Sequence, residues 1–532
     1  MTLRNLETAR SHLEEALTTY RTLLEEQPQD DQSRRELVFL FSKLGDTCLT
    51  PDDKQAAWRY LEAGLKVRRS LYDSEPDNAH WSRELLATFA KLGELCLILG
   101  NTSTARKHFE DALAIRQTMS DVETEPGQLE LAAHFDTLGE VCLKQGASAA
   151  ARSYFERSLQ HTRHLAESAS AGDSSRGNLA VALDKLGQFS FRSGDIATAE
   201  CCFEESRSIR QLLAEAHPEN ASARRDLSIS CDLLGEVNQR RGDLAAARRF
   251  FEESREIRQA LSEAAPSDVE AQRDLSIALS RLGGLSLETG DTTAAKRYFE
   301  LSHRLLHVLA QGDARSLAAQ RDLAISYLRL GDVNLRLGDT VAARLYFEDD
   351  LKLSRALADA APRDSQALRD LSVSLNRVAE VSLELGDAVS AKRFYEESLR
   401  LRQSLLHSEP HSARAKRDLS ISCERLGQLN RRLGELDAAR PFLEDKVRLS
   451  QSLAELEPDN SQARSDLVSA YINIGRLDMD LERYQPAIEI LERAVRVLRP
   501  NNSEDGLEPH QQAWLDREQA SIEERQKLLR GK

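Results

Sequence analysis

One spacing recurs so strictly along this chain that it decides the architecture before any residue is assigned to a helix. Glycine stands at Gly45, Gly93, Gly139, Gly187, Gly235, Gly283, Gly331, Gly427 and Gly475, with Ala379 in its place once. Each step is 48 residues, apart from one of 46 between Gly93 and Gly139. A landmark alanine keeps the same step without a gap: Ala9, Ala57, Ala105, Ala151, Ala199, Ala247, Ala295, Ala343, Ala391, Ala439 and Ala487. Self-similarity at a fixed period is the signature of a repeat array, in which each unit buries its apolar face against the neighbouring copies. A chain of 532 residues would ordinarily divide into roughly three or four domains. An array is free of that constraint.

Within one unit, Leu227, Cys231, Leu234, Gly235 and Asn238 fall on one face of a helix. Gly242-Asp243 follows. Glycine tolerates the left-handed backbone that ends a helix, and aspartate accepts the free amides that open the next. The same dipeptide stands at Gly194-Asp195, Gly290-Asp291, Gly338-Asp339 and Gly386-Asp387. A second helical face comes next, from Leu244 through Ala247, Phe251, Ser254, Ile257 and Leu261 to Ala264. Pro266 closes the unit, as do Pro28, Pro76, Pro218, Pro362, Pro410 and Pro458. Each repeat therefore reads as two antiparallel helices of about 20 residues, about 30 Å long. Gly235 and Ala247 lack bulk where the paired helices cross. Phe251 fills the space toward the next pair, with Phe109, Phe155, Phe203, Phe299, Phe347 and Tyr395 as its counterparts. The expected fold is all-α, a solenoid of stacked helix pairs.

The net charge of −15 argues against nucleic acid as a partner, because phosphate contact needs a clustered basic face. No run approaches the apolar length a membrane-spanning helix needs. The first residues, MTLRNLETARSHLEEAL, carry acids early and have no apolar core ahead of a cleavage site. The expected location is the cytoplasm, and the excess of arginine over lysine points to a bacterial source. Of the seven cysteines, Cys48, Cys96 and Cys142 share one repeat position, and Cys231 and Cys423 share another. Positions set by a repeat are packing positions, where a thiol behaves as a small hydrophobe. Phosphate-binding loops, dinucleotide fingerprints and nucleophile elbows are absent from the sequence. His303 and His307, like His161 and His164, could share a helix face, but neither pair has the form of a zinc enzyme. No catalytic residue, metal or cofactor is expected.

These residues resemble the tetratricopeptide repeat family: Leu-Gly, alanine twelve residues on, an aromatic or leucine four later, and alanine or serine three later. The last unit is nearest the pattern, with Ile474-Gly475, Ala487, Leu491, Ala494 and Pro500. The resemblance runs from about Leu6 to Pro500. The family's unit is about 34 residues, so this one is a long-unit variant, similar to bacterial arrays attached to signalling domains. The resemblance implies a right-handed superhelical α-α solenoid with a half-repeat capping helix over 1–26, about ten helix-pair repeats over 27–500, and a polar linker with a capping helix over 501–532. It also implies protein–protein interaction through a concave groove lined by the first helix of each pair. A scaffold or adaptor is the expected function. The alternative is a regulatory or sensory module acting on a separately encoded kinase, protease or nucleotide switch.

Carrying over the family's groove geometry, the exposed concave positions lie three before, one after and four after the landmark glycine. They give Asp136, Glu140, Asp184, Asp232 and Glu236 in the middle of the chain, and Gln428, Arg431 and Arg476, with Arg432 adjacent, toward its end. The implied groove is acidic in its middle and basic near its C-terminal end, which would select a partner protein of matching polarity. No aromatic anchors occur at these positions. A spacer or self-associating element is the reading without a ligand. The Arg-Asp pairs at Arg225-Asp226, Arg273-Asp274, Arg321-Asp322, Arg369-Asp370 and Arg417-Asp418 are expected to form a ladder, each arginine reaching the aspartate of a neighbouring repeat.

Overall fold

The computed structural model describes residues 3–27, 30–48, 53–76, 78–168, 172–410, 412–456, 460–498 and 520. Pro28, Pro458 and Pro500 lie outside these residues, as does the expected linker and capping helix of 501–532 apart from Ala520. Among the described residues the structure is all-helical, with twenty-one helices and no strand.

The chain divides into two compact units, Met1–Ala264 and Ala265–Lys532. In the first, α1 (Leu3–Glu26) stands alone and packs on the pair α2 (Asp31–Thr47) and α3 (Lys54–Ser74). The pairs α4 (Ala79–Ile98) with α5 (Thr102–Thr118), α6 (Glu125–Lys144) with α7 (Ser148–Ala166), α8 (Asp173–Ser193) with α9 (Ile196–Ala216), and α10 (Ala221–Arg241) with α11 (Leu244–Ala264) follow. The second unit holds α12 (Val269–Glu288) with α13 (Thr292–Gly312), α14 (Leu317–Arg336) with α15 (Thr340–Ala360), and α16 (Ser365–Glu384) with α17 (Ala388–Ser408). It ends with α18 (Ala413–Arg432) and α19 (Leu436–Leu456), then α20 (Ser461–Asp480) and α21 (Tyr484–Leu498). Within each unit every helix packs chiefly on the helices before and after it in the chain.

The punctuation between helices follows from local chemistry. Gly194 and Gly242 end α8 and α10 at φ +86°, in the left-handed region where a side chain would be strained. The following aspartates cap the next helix: Asp195 accepts from Thr198 N and Asp243 from Ala246 N. First helices open the same way, with Asn220, Asp268, Asp364 and Asn460 as caps.

The landmark residues are where paired backbones approach. A Cβ added to Gly235 would lie 2.3 Å from Phe251 Cε1, so the ring of the second helix lies against the glycine of its own pair. The expected reach toward the next pair is also present. Phe203 clusters with Leu234 and Val237, and Phe347 with Leu375, Val378 and Val381. Each such ring is buried, a contribution of about 1.5–3 kcal/mol apiece. Small polar residues complete the seam: Ser302 Oγ donates to Ser276 O and Ser398 Oγ to Ser372 O, tying the second helix to the first. Six of the seven cysteines are buried and Cys201 is exposed, all as free thiols. Burial pushes the Cys231 and Cys423 thiols up to about 12, which keeps them neutral packing groups.

Candidate functional site

The first helices α12, α14, α16 and α18 place the Arg-Asp pairs in register one repeat apart. Arg273 reaches Asp322 at 2.5 Å, Arg321 reaches Asp370 at 2.7 Å, Arg369 reaches Asp418 at 3.4 Å and Arg417 reaches Asp466 at 3.2 Å. A second set of cross-repeat pairs joins the residue after the landmark glycine to a base on the following first helix. Lys91 meets Asp46 at 2.9 Å, Lys185 meets Glu140 at 2.9 Å, and Arg425 meets Glu380 at 2.8 Å. Two ladders therefore tie neighbouring first helices together in register.

Three of the expected groove carboxylates are not on an open face. Asp184 and Asp232 are buried and pair with Arg210 at 2.7 Å and Arg258 at 2.8 Å, arginines that rise from the second helix of the same pair. Asp136 is buried beside Lys185 Nζ at 3.3 Å. Burial raises the Asp136 and Asp184 carboxyls above the ordinary range, and Lys185 and Arg210 offset part of that rise. The correction has a physical reason. In these long helices the position three before the glycine faces inward, toward a buried arginine 26 residues later for Asp184 and Asp232 and toward Lys185 of the following first helix for Asp136.

The remaining positions divide by exposure. Glu140 and Arg432 are exposed, while Glu236, Gln428, Arg431 and Arg476 are half-buried. Arg431 pairs with Asp480 at 2.8 Å, and Gln428 donates to Glu424 and Asn473. Arg432 lines a cavity of about 420 Å³ with Tyr395, Glu380 and Arg425. The histidine pairs are built into packing. His303 bonds Ser326 Oγ at 2.8 Å and packs its ring at a tilt against Tyr327 at 4.7 Å, and burial lowers its pKa. His161 bonds Gln128 at 2.5 Å and stacks on Phe135. Among the described residues no three His, Cys, Asp or Glu side chains gather where a metal ion could sit, and no helix is long and apolar enough to cross a membrane.

A column of exposed apolar side chains, six residues before the landmark in four successive helix pairs, escaped the sequence reading. In the second unit Ile277, Ile325, Val373 and Ile421 are 39, 44, 39 and 39% exposed on four successive first helices. Val181 and Ile229 hold the same register in the first unit. Single exposed aliphatics are ordinary on any protein, but one β-branched residue at one register on four successive first helices of the second unit forms an apolar strip. The signal was present in the sequence as a 48-residue periodicity of Val and Ile at positions that bury no core.

Residues 229–266 and 468–497 each match a model of the tetratricopeptide repeat. No curated protein matches the chain. Among solved structures, the chain is similar to BtubC from P. vanneervenii (18% identity, 48% of this chain and 90% of that one, TM-score 0.38). It is also similar to the apo form of RapI (15%, 60% and 97%, 0.37) and to the apo form of the quorum sensor NprR from B. thuringiensis (13%, 75% and 97%, 0.42). The two matched segments cover α10 with α11 and α20 with α21, and the other pairs repeat their small landmark, their alanine and the large apolar side chain that covers them. The chain carries tetratricopeptide repeats.

Proposed function

We propose that this protein is a non-enzymatic scaffold or adaptor that holds a segment of another protein along the first helices of its repeats, the inner wall of the groove in the family whose repeats it carries. The observation that carries the reading is the strip Ile277, Ile325, Val373 and Ile421. Four apolar contacts at one register offer an anchor surface, and the ion-pair ladders on the same helices hold the spacing between those contacts rigid. Preorganisation of this kind lowers the ordering cost of binding. In the same unit as the strip, Gln428, Arg431, Arg432 and Arg476 supply the charge that selects among partners, and in the other unit Glu140 and Glu236 hold the corresponding positions. Asp136, Asp184 and Asp232 act from beneath by fixing Lys185, Arg210 and Arg258.

The test is cross-linked capture from the native cell with the full chain and with the double variant Ile325→Asp/Val373→Asp. The variant is expected to lose the captured protein while keeping its helical circular dichroism and melting temperature. Equal capture by both forms overturns the assignment to this strip. Whether the captured protein is a kinase, protease or nucleotide switch separates regulator from adaptor.

A further inference from the structure

The first complete helix pair departs from the later ones at one buried contact. In two later pairs a buried arginine of the second helix meets a carboxylate of the first, Arg210 with Asp184 and Arg258 with Asp232. At the same register the first pair has Arg68 and Ser42. Arg68 is 3% exposed. It donates to Ser42 Oγ through Nη2 and reaches Glu84 only at 3.4 Å, while Nη1 is buried with no hydrogen-bond acceptor. A guanidinium so placed carries a desolvation cost that a fully engaged carboxylate would offset. Burial accordingly pushes its pKa below the ordinary value, with Glu84 restoring part of it.

At the same place a cavity of about 450 Å³ lies between α2 and α4, with Ser42 and Arg68 in its lining. Val38, Leu61 and Trp81 give it apolar walls. Ala87, at the register that Val181 and Ile229 hold in later pairs of this unit, also lines it, with less volume than a branched side chain. The other charges in the lining are mostly positive. Arg35 sits 5.6 Å over the Trp81 ring, Lys43 sits 5.6 Å over Phe39, and Lys91 completes the set, against the single acid Glu84. Two of these cations have carboxylate partners beyond the lining, Arg35 with Glu75 at 3.7 Å and Lys91 with Asp46 at 2.9 Å.

We infer that this cavity binds a small apolar carboxylic acid, its carboxylate on Arg68 in the place that Asp184 and Asp232 fill in later pairs, its hydrocarbon against Val38, Leu61 and Trp81. The volume falls within the range of about 300–1,000 Å³ typical of small-molecule sites. A carboxylate in the cavity would give the Arg68 guanidinium the full counter-ion that Ser42 and the 3.4 Å contact to Glu84 do not, and Lys43 adds a second positive charge to the lining. The inference does not depend on the protein-segment reading above, because it concerns another part of the chain and another class of ligand.

Calorimetric titration of the full chain with 3-phenylpropionate, with the uncharged 3-phenylpropanol and with inorganic phosphate tests it. The acid is expected to bind more tightly than the alcohol or phosphate, by roughly tenfold or more, as when a buried charged group would otherwise stay unpaired. Ser42→Asp rebuilds the internal ion pair, and Ala87→Ile fills the volume with the strip's usual kind of side chain. Each is expected to weaken the acid by about tenfold or more without lowering the melting temperature. No binding, equal affinity for acid and alcohol, equal affinity for phosphate, or full binding by Ser42→Asp would each overturn the assignment. So would a peptide ending in phenylalanine that binds more tightly than the free acid, since the site would then belong to a chain terminus.

Discussion

Arg210 Nη2 stands 2.7 Å from Asp184 Oδ2, and each side chain is only 9% exposed. An ion pair so deep is costly to break on one side, because the surviving charge stays buried without its partner. Asp184→Ala should therefore cost about 3–5 kcal/mol in a urea or thermal melt. Glu140→Ala, at an exposed member of a cross-repeat ladder, should cost no more than about 1 kcal/mol. Equal effects at the two positions would mean that Asp184 is solvated in solution.

Asp350 occupies the repeat position held by Ser302 and Ser398, and it is 0% exposed. It bonds Ser354 but faces no cation, and burial pushes its carboxyl from 3.8 up to about 7, helped by Asp370 and Asp332 and opposed by Ser374 and Ser354. Between those two values the folded chain keeps a proton that the unfolded chain releases, so stability falls as pH rises through that window and stays low above it. The full penalty has a ceiling on the order of 4 kcal/mol. Asp350→Ser should melt higher than the parent near pH 8, with the advantage shrinking as the pH is lowered through the window. A gain that is the same at every pH would contradict the buried, protonatable state.

The adjacent glycines Gly283 and Gly284 should respond in opposite directions. A Cβ on Gly283 would lie 2.5 Å from Phe299 Cε1, inside the packed seam, so Gly283→Ala should cost about 1–3 kcal/mol. Ala379 shows that a pair can carry this Cβ where Tyr395 is the opposing ring, which points to a repacked aromatic as the relief. A Cβ on Gly284 would meet nothing within 4 Å, so Gly284→Ala should gain about 0.5–1 kcal/mol from helix propensity. Melting temperatures of the two single variants decide it.

The ladder between Arg321 and Asp370 is partly exposed on both sides. Arg321→Ala should lower stability by about 0–1 kcal/mol, and adding Asp370→Ala should cost little more, the coupling expected of one shared contact. Additive losses in that double-mutant cycle would show that the two side chains act separately.

The helix pairs were legible because their determinants are local. A glycine at positive φ, a capping aspartate and an apolar face at helical spacing all act within one turn or one helix. The Arg-Asp ladder was legible too, since period and charge together name the partner. The burial of Asp184 and Asp232 was not. Their cations come from 26 residues away on the paired helix, and spacing along one helix does not reveal which of its polar positions meets the other. Arg68, Arg116, Arg210, Arg258 and Arg402 recur at one register and were the available clue. The strip from Ile277 to Ile421 was hidden for a related reason: a β-branched residue on a helix reads as core until its neighbours in space are known.

Because within each unit every helix packs chiefly on its immediate predecessor and successor, native contacts join residues within about one repeat of each other. Chains of such low contact order pay little loop-closure entropy before contacts form, and they fold quickly for their length. The same economy makes opening local, one helix pair at a time. Amide exchange should therefore differ from pair to pair within each unit, each opening with its own free energy, instead of reporting one opening of the whole chain.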